Sequence, residues 1–397
     1  MAGRGRGSRT AAVALVAPLL AALVSCSGQR TDNADTAEVQ LLLDRRATAV
    51  LAGDEGAFLA TGAPTWFANA RAVPLAAWSY RLTSLHSSGA RATADVELRY
   101  RVRGYDSAPV SVHRALTLTH ESDGTWSVDA DKPAAKAPQL PWDQGRVSVV
   151  RGTHSLVLGV GQSTVTLRSY ARLADRAVPA VTAAWGDDWA RHVVVLVPRT
   201  LEGMAGLLGS PAASYRGIAA VTTGEVGGAG KAPADRIIVN PQAYAGLGDL
   251  GKQVVLTHET THVASRAHTS AATPLWLSEG YADWVGYRDT GRTARQAAPE
   301  LERAVDEGNV PSALPTDADF GFGSDATKLA RAYEGGWLAC RMIADGWGEE
   351  KLGRFYRAVG AHHSRSGAVE NALKEVLGTD SASFTERWRD YLGEQLG

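Results

Sequence analysis

Residues 253 to 266 read Gln253-Val-Val-Leu-Thr-His258-Glu259-Thr-Thr-His262-Val-Ala-Ser-Arg266. His258 and His262 stand at i and i+4, and on an α-helix that spacing stacks both imidazoles on one face, ready to share a metal ion. Glu259 falls beside the pair and is not a third member of it. Downstream, Pro274-Leu-Trp-Leu-Ser-Glu-Gly-Tyr-Ala-Asp-Trp284 reads as a second helix that brings Glu279 as the third ligand. Asp283 shares the face of Glu279 one turn on, placed to accept the outer ring N–H of a ligating histidine and fix its tautomer. Two neutral imidazoles and one carboxylate suit zinc with an open coordination position, whereas a structural zinc site closes its shell with Cys or His. In such a site Glu259 is placed to take a proton from water. One zinc per chain is the expected cofactor.

This pair of motifs resembles the gluzincin zinc metallopeptidases, in which a His-Glu-x-x-His helix is followed by a helix written Asn/Ser-Glu-Gly-x-Ala. The resemblance covers the last 250 residues or so and is specific only at the motifs. It implies His258, His262 and Glu279 as metal ligands, Glu259 as catalytic base and Asp283 as the aspartate behind a ligating histidine. Tyr333, in Ala332-Tyr-Glu-Gly-Gly336, resembles the tyrosine that stabilises the transition state in the aminopeptidase branch, although Gly335 stands where a lysine is expected. In the same family the strand before the active-site helix pairs with extended substrate, which makes Ile237, Ile238, Val239 and Asn240 the candidate substrate edge; a purely structural strand is the other reading. The amine-anchoring Gly-x-Met-Glu-Asn segment of the aminopeptidase branch is missing upstream of His258, so endopeptidase action on peptide or protein substrates is the expectation. The competing function is a binding or assembly lipoprotein with a structural or inactive zinc site.

The chain of 397 residues has 45% hydrophobic and 21% charged residues and a formal net charge of −1. That composition belongs to an ordinary globular protein and gives no reason to expect nucleic acid as a partner. At the N-terminus, Arg4, Arg6 and Arg9 precede an apolar run from Ala11 to Leu23 that ends in Leu23-Val-Ser-Cys26. This resembles a bacterial lipobox, which implies lipidation of Cys26 and a membrane anchor on the outer face of the cytoplasmic membrane; an ordinary signal peptide is the alternative. Cys340 is the other cysteine, so no disulfide is expected within the exported chain.

The whole reads as α+β. Residues 1–26 are the signal peptide, 27–35 a polar tether, and 36–131 a helix followed by strands of alternating polarity from Trp78 to Asp129. A helix and a curved antiparallel meander resemble the NTF2-like fold in element order. The histidines there (His86, His113, His120) read as solvated or hydrogen-bonded, and Trp78, Tyr80, Tyr100 and Trp126 as core. Residues 132–145, with Pro133, Pro138 and Pro141, read as an extended linker. Residues 146–397 form the metallopeptidase domain: a hairpin, a helix over Val165 to Trp185, a buried strand from His192 to Val197, a glycine-rich loop over 224–230, the two motif helices, a helix over Ala294 to Glu307, a loop over Ser312 to Ser324 and a C-terminal helical subdomain.

Overall fold

A computed structural model describes residues 25–223, 235–321 and 325–397, with side chains from Asp35 onward. The stretch before Ser25 read as an export signal, the side chain of Cys26 and the glycine-rich stretch 224–230 lie outside the described residues. Helix α1 (Ser25–Ala52) takes in the stretch read as a tether, because no proline interrupts it and the one glycine, Gly28, weakens a helix by only about 1 kcal/mol. It ends where Gly53 takes φ +67°. Two short helices, α2 (Glu55–Leu59) and α3 (Phe67–Ala70), lead into an antiparallel meander of β1 (Leu75–Ser88), β2 (Arg91–Val102), β3 (Val110–His120) and β4 (Trp126–Pro133), ordered β1-β2-β3-β4. Every second residue of β2 from Ala92 to Val102 is buried, so one sheet face carries the apolar set against α1 and the other meets water.

The proline-rich segment is not an extended spacer. Pro141 opens helix α4 (Pro141–Gln144), and Trp142 inserts among Trp66, Trp78 and Tyr100, with ring centroids at 6.4, 5.5 and 5.3 Å. Beneath it the Arg114 guanidinium bridges Asp131 and, at 3.0 Å, Asp143. One apolar core therefore runs from Leu42 and Trp78 in the N-terminal layer to Val147, Leu158 and Leu196 in the next sheet.

That second sheet contains β5 (Val147–Arg151), β6 (Ser155–Val160), β7 (Val193–Val197), β8 (Ala220–Thr223) and β9 (Arg236–Val239), in the order β5-β6-β7-β9-β8. β6, β7 and β9 run parallel and are buried throughout, while β5 and β8 pair antiparallel at the two edges. The expectation that Ile237 to Asn240 form a substrate edge is thus corrected. β9 is flanked by β7 and β8, its side chains are core, and Asn240 caps α7 (Pro241–Ala245) by accepting from Gln242 N and Ala243 N. The edge next to the helix that carries His258 and His262 is β8, and no strand among the described residues pairs with its far side.

Helix α5 (Thr164–Trp185) and, after α6 (Leu201–Leu208) and α7, helix α8 (Asp249–Ser265) cover the sheet. The C-terminal part is helical: α9 (Leu275–Tyr287), α10 (Ala294–Ala297), α11 (Pro299–Asp306), α12 (Ala326–Trp347), α13 (Glu349–Gly360), α14 (Ala368–Ala372) and α15 (Ser381–Leu396). The single helix expected over Ala294 to Glu307 breaks at Ala298, because Pro299 has no N–H to continue it and instead starts α11. α9 and α12 cross at bare backbone: a Cβ on Gly280 would lie 2.2 Å from the Gly336 carbonyl oxygen, and one on Gly336 would lie 2.7 Å from that of Trp276. No helix among the described residues is long and apolar enough to cross a membrane.

Candidate metal centre

α8 holds its two motif histidines where the helix passes under α9. Its buried face, with Val254, Leu256 and Thr260, fixes the helix against its neighbours, and this turns His258 and His262 toward Glu279 on α9. One ligand atom from each of the three lies within 4.8 Å of the others. His258 Nε2 is 3.0 Å from His262 Nε2 and 3.2 Å from Glu279 Oε2, which in turn lies 3.4 Å from His262 Nε2. Asp283 Oδ1 stands 2.8 Å from His258 Nδ1. A neutral His258 that donates its Nδ1–H to Asp283 presents Nε2 as a bare lone pair, so lone pairs of two imidazoles and a carboxylate converge on one point. That convergence is repulsive unless positive charge sits at its centre, and it fits a zinc ion with a His-His-Glu donor set.

The field of the site has the same sign. Burial opposes the charged form of His258, but Asp283 and then Glu279 overcome it and raise the pKa well above the ordinary histidine value. Burial likewise opposes the charged form of Glu279, and His262 with His258 more than reverses it, holding the carboxyl well below the usual range. Both shifts come from the attraction between imidazole and carboxylate held close together in a buried pocket.

Glu259 lies outside the ligand set and is only 6% exposed. Its Oε2 accepts a 2.6 Å hydrogen bond from Thr222 Oγ1, which also stands 3.1 Å from the Glu259 backbone oxygen. Thr222 belongs to the edge strand β8, so sheet edge and acidic side chain are tied directly. Sequence reasoning missed Thr222; its one signal was the β-branched run Val221-Thr-Thr223, too short to stand out. Tyr333, in the second turn of α12, lines the same cleft of about 460 Å³. Burial, followed by the charges of Glu279, Asp283 and Glu259, pushes its hydroxyl far above the ordinary tyrosine value, so at neutral pH it is a proton-bearing donor. Phe320, from the loop expected to rim the cleft, packs edge-on against the Tyr333 ring at 5.1 Å. The structure therefore gathers His258, Glu259, His262, Glu279, Asp283 and Tyr333 around one cavity, with Ala220 to Thr222 of β8 along its wall.

No family model and no curated protein matches the chain. Among solved structures it is similar to native yeast LTA4 hydrolase, with a TM-score of 0.40 and 12% identity, covering 70% of this chain and 44% of that one. It is also similar to a mutant M1 zinc metallopeptidase from Deinococcus radiodurans bound to a Tyr-Ser-Ala substrate (TM-score 0.36, 11% identity, 77% of this chain and 90% of that one). A two-domain mutant M1 zinc metallopeptidase bound to L-arginine gives a TM-score of 0.37 at 11% identity, over 80% of this chain and 94% of that one. The chain thus spans less than half the length of the first of these proteins.

Proposed function

We propose that the protein is a zinc-dependent peptidase, held outside the cytoplasm by a lipid on Cys26, that cuts within peptide chains. The observation that supports this most strongly is the division of labour around the cleft. Three groups converge as ligands, while a fourth, Glu259, sits beside them with no ligand role and with its carboxylate held by Thr222. A site that only stored or was braced by a metal has no use for that fourth group.

His258, His262 and Glu279 hold the ion, and Asp283 fixes the His258 ring so that Nε2 faces it. Bound zinc supplies a Lewis acid and lowers the pKa of water toward neutrality. Glu259 accepts the proton of the attacking water and returns it to the departing amine. Tyr333 donates its O–H to the oxygen that gains charge as the peptide carbonyl becomes tetrahedral. The side of β8 that no described strand pairs with offers backbone N–H and C=O groups to an extended substrate, the edge role that β9 cannot fill. For the N-terminal layer, an NTF2-like unit remains the reading that its element order supports, with a supporting role beside the peptidase.

The test compares the wild type with Glu259→Gln. Both are expected to bind about one zinc per chain, and the variant to lose hydrolysis of a mixed peptide library by roughly 10²–10⁴-fold. Equal cutting by both at equal zinc content, or a wild type that takes up no zinc on dialysis, sinks the reading.

A further inference from the structure

The face of α12 that carries Tyr333 extends well past the metal cleft. Ala326, Leu329, Ala330, Tyr333, Glu334 and Trp337 recur at helical spacing and so share one side of the helix. That side walls a second cavity of about 620 Å³, bounded opposite by Tyr287 of α9 and by Gly217 and Ile218, which lead into β8. Its volume is within the range of ligand sites. Six residues line this cavity and the metal cleft alike: Gly217, Ile218, Asp283, Tyr287, Leu329 and Tyr333. They come from all three walls, so they ring the junction between the two hollows and do not partition them.

The character of this extension is apolar. Ile218, Tyr287, Leu329 and Ala330 are half-buried where they line it, and the rings of Tyr287 and Trp337 stand 5.4 Å apart. The acidic groups in the wall are engaged elsewhere. Both Glu334 carboxylate oxygens accept from backbone N–H groups of α11, at 3.2 and 2.6 Å, and Asp283 faces His258 Nδ1. Arg216, the one basic residue of the wall, is exposed to solvent. A hollow of this kind gains most from apolar surface that it takes out of water, and aromatic walls add to that when the guest is a ring. Leu329 lies one turn before Tyr333, about 6 Å along the helix axis, while an extended peptide advances about 3.3–3.6 Å per residue. A peptide whose reacting carbonyl meets the Tyr333 hydroxyl therefore brings a nearby side chain to the mouth of the cavity.

We propose that this cavity is the specificity pocket of the peptidase, taking a bulky apolar side chain, aromatic or leucine-sized, from a residue within about two of the bond that is cut. The inference rests on the peptidase reading above and adds a substrate preference to it.

A peptide series built on one sequence cut from the mixed library tests it, with Ala, Leu, Phe, Lys or Glu at each of the two positions on either side of the cut. With the zinc-loaded wild type, Phe or Leu is expected to raise kcat/KM about tenfold or more over Ala at one position. Ala330→Phe, which fills the cavity, and Leu329→Asn, which puts an amide on its wall, are each expected to reduce that ratio to about twofold or less. The ratio compares two substrates on one protein, so a general loss of activity cancels. Equal cleavage of the Ala, Leu and Phe peptides, a preference for Lys or Glu, or an apolar preference that survives in both variants overturns the pocket and leaves the peptidase reading standing. If one variant fails to fold, as judged by thermal unfolding, the wild-type ratio and the other variant decide. Where a protein cuts nothing, fluorescence anisotropy of labelled Phe and Ala peptides supplies the same comparison. Phe-selective binding by an uncutting wild type, lost in the variants, upholds the pocket while the peptidase reading falls, and unselective or absent binding overturns the pocket.

Discussion

Asp283 is the residue on which the electronic character of the metal centre turns. Its carboxylate, 2.8 Å from His258 Nδ1, decides which ring nitrogen keeps the proton and therefore whether Nε2 is a lone pair or a donor. Asp283→Asn keeps the shape and an acceptor oxygen but removes the charge behind the ring. We expect zinc affinity to fall by about 10–100-fold with the fold intact, measured by competition with a chromophoric chelator. Unchanged affinity would mean that the aspartate only packs. His258, Glu259, His262, Glu279 and Asp283 could all be read from the sequence because they lie on two helices where position i+4 fixes neighbourhood. Thr222 could not, since it meets Glu259 through a strand 37 residues away.

The crossing of α9 and α12 sets the geometry of the cleft. Glu279 and Tyr333 sit on α9 and α12, and these helices approach as closely as they do because Gly280 and Gly336 present no side chains where they meet. Gly280→Ala is expected to push α12 outward at a cost of about 1–3 kcal/mol and to reduce hydrolysis more than zinc content, read by thermal unfolding, metal analysis and peptide cleavage on one preparation. Alone, each glycine in the sequence looks like a weakness in its own helix, and only the partner helix explains it. Strand order hid itself in the same way: Ile237 to Asn240 have the pattern of a strand, but nothing local says that the earlier β8 lies outside them. α11 depends on α12 as well. Glu334 accepts from Glu300 N at 3.2 Å and Leu301 N at 2.6 Å, serving the start of α11 from a neighbouring helix. Burial raises its carboxyl to about 7 from the ordinary 4.5, against the pull of those two amides. The folded protein thus keeps a proton there that the unfolded chain gives up near 4.5, so this contribution to stability is complete below pH 4.5 and is lost as pH rises toward 7. Relative to Glu334→Gln, the wild type is expected to lose stability over that window, measured as the difference in Tm between the two at each pH; a difference flat with pH would contradict it.

At the scale of the whole molecule, one buried ion pair among the described residues joins the N-terminal layer to the second sheet. Asp106, at the turn after β2, accepts both guanidinium N–H groups of Arg236 at 2.7 and 2.8 Å and a further bond from Val102 N. Arg236 opens β9, the strand that leads through α7 to α8. Asp106→Ala leaves that guanidinium buried without its partner and is expected to cost about 3–5 kcal/mol, seen in denaturant unfolding of the full chain. Pairing it with Arg236→Met is expected to recover much of the loss, and a double variant no better than the single one would show that the charge is not the cause. The linker prolines suggested two units joined by a spacer; Trp142 and the Arg114 bridge show a strap, a distinction that rests on contacts between residues far apart in sequence.

That same pair carries information about order in time. A chain emerges N-terminus first, so the residues of the meander with Asp106 are synthesised before Arg236, 130 residues later. The aspartate waits in its turn, held by the Val102 amide, until the strand that needs it arrives. The N-terminal layer thus presents, in Asp106, a buried anchor against which the second sheet packs once Arg236 is in place.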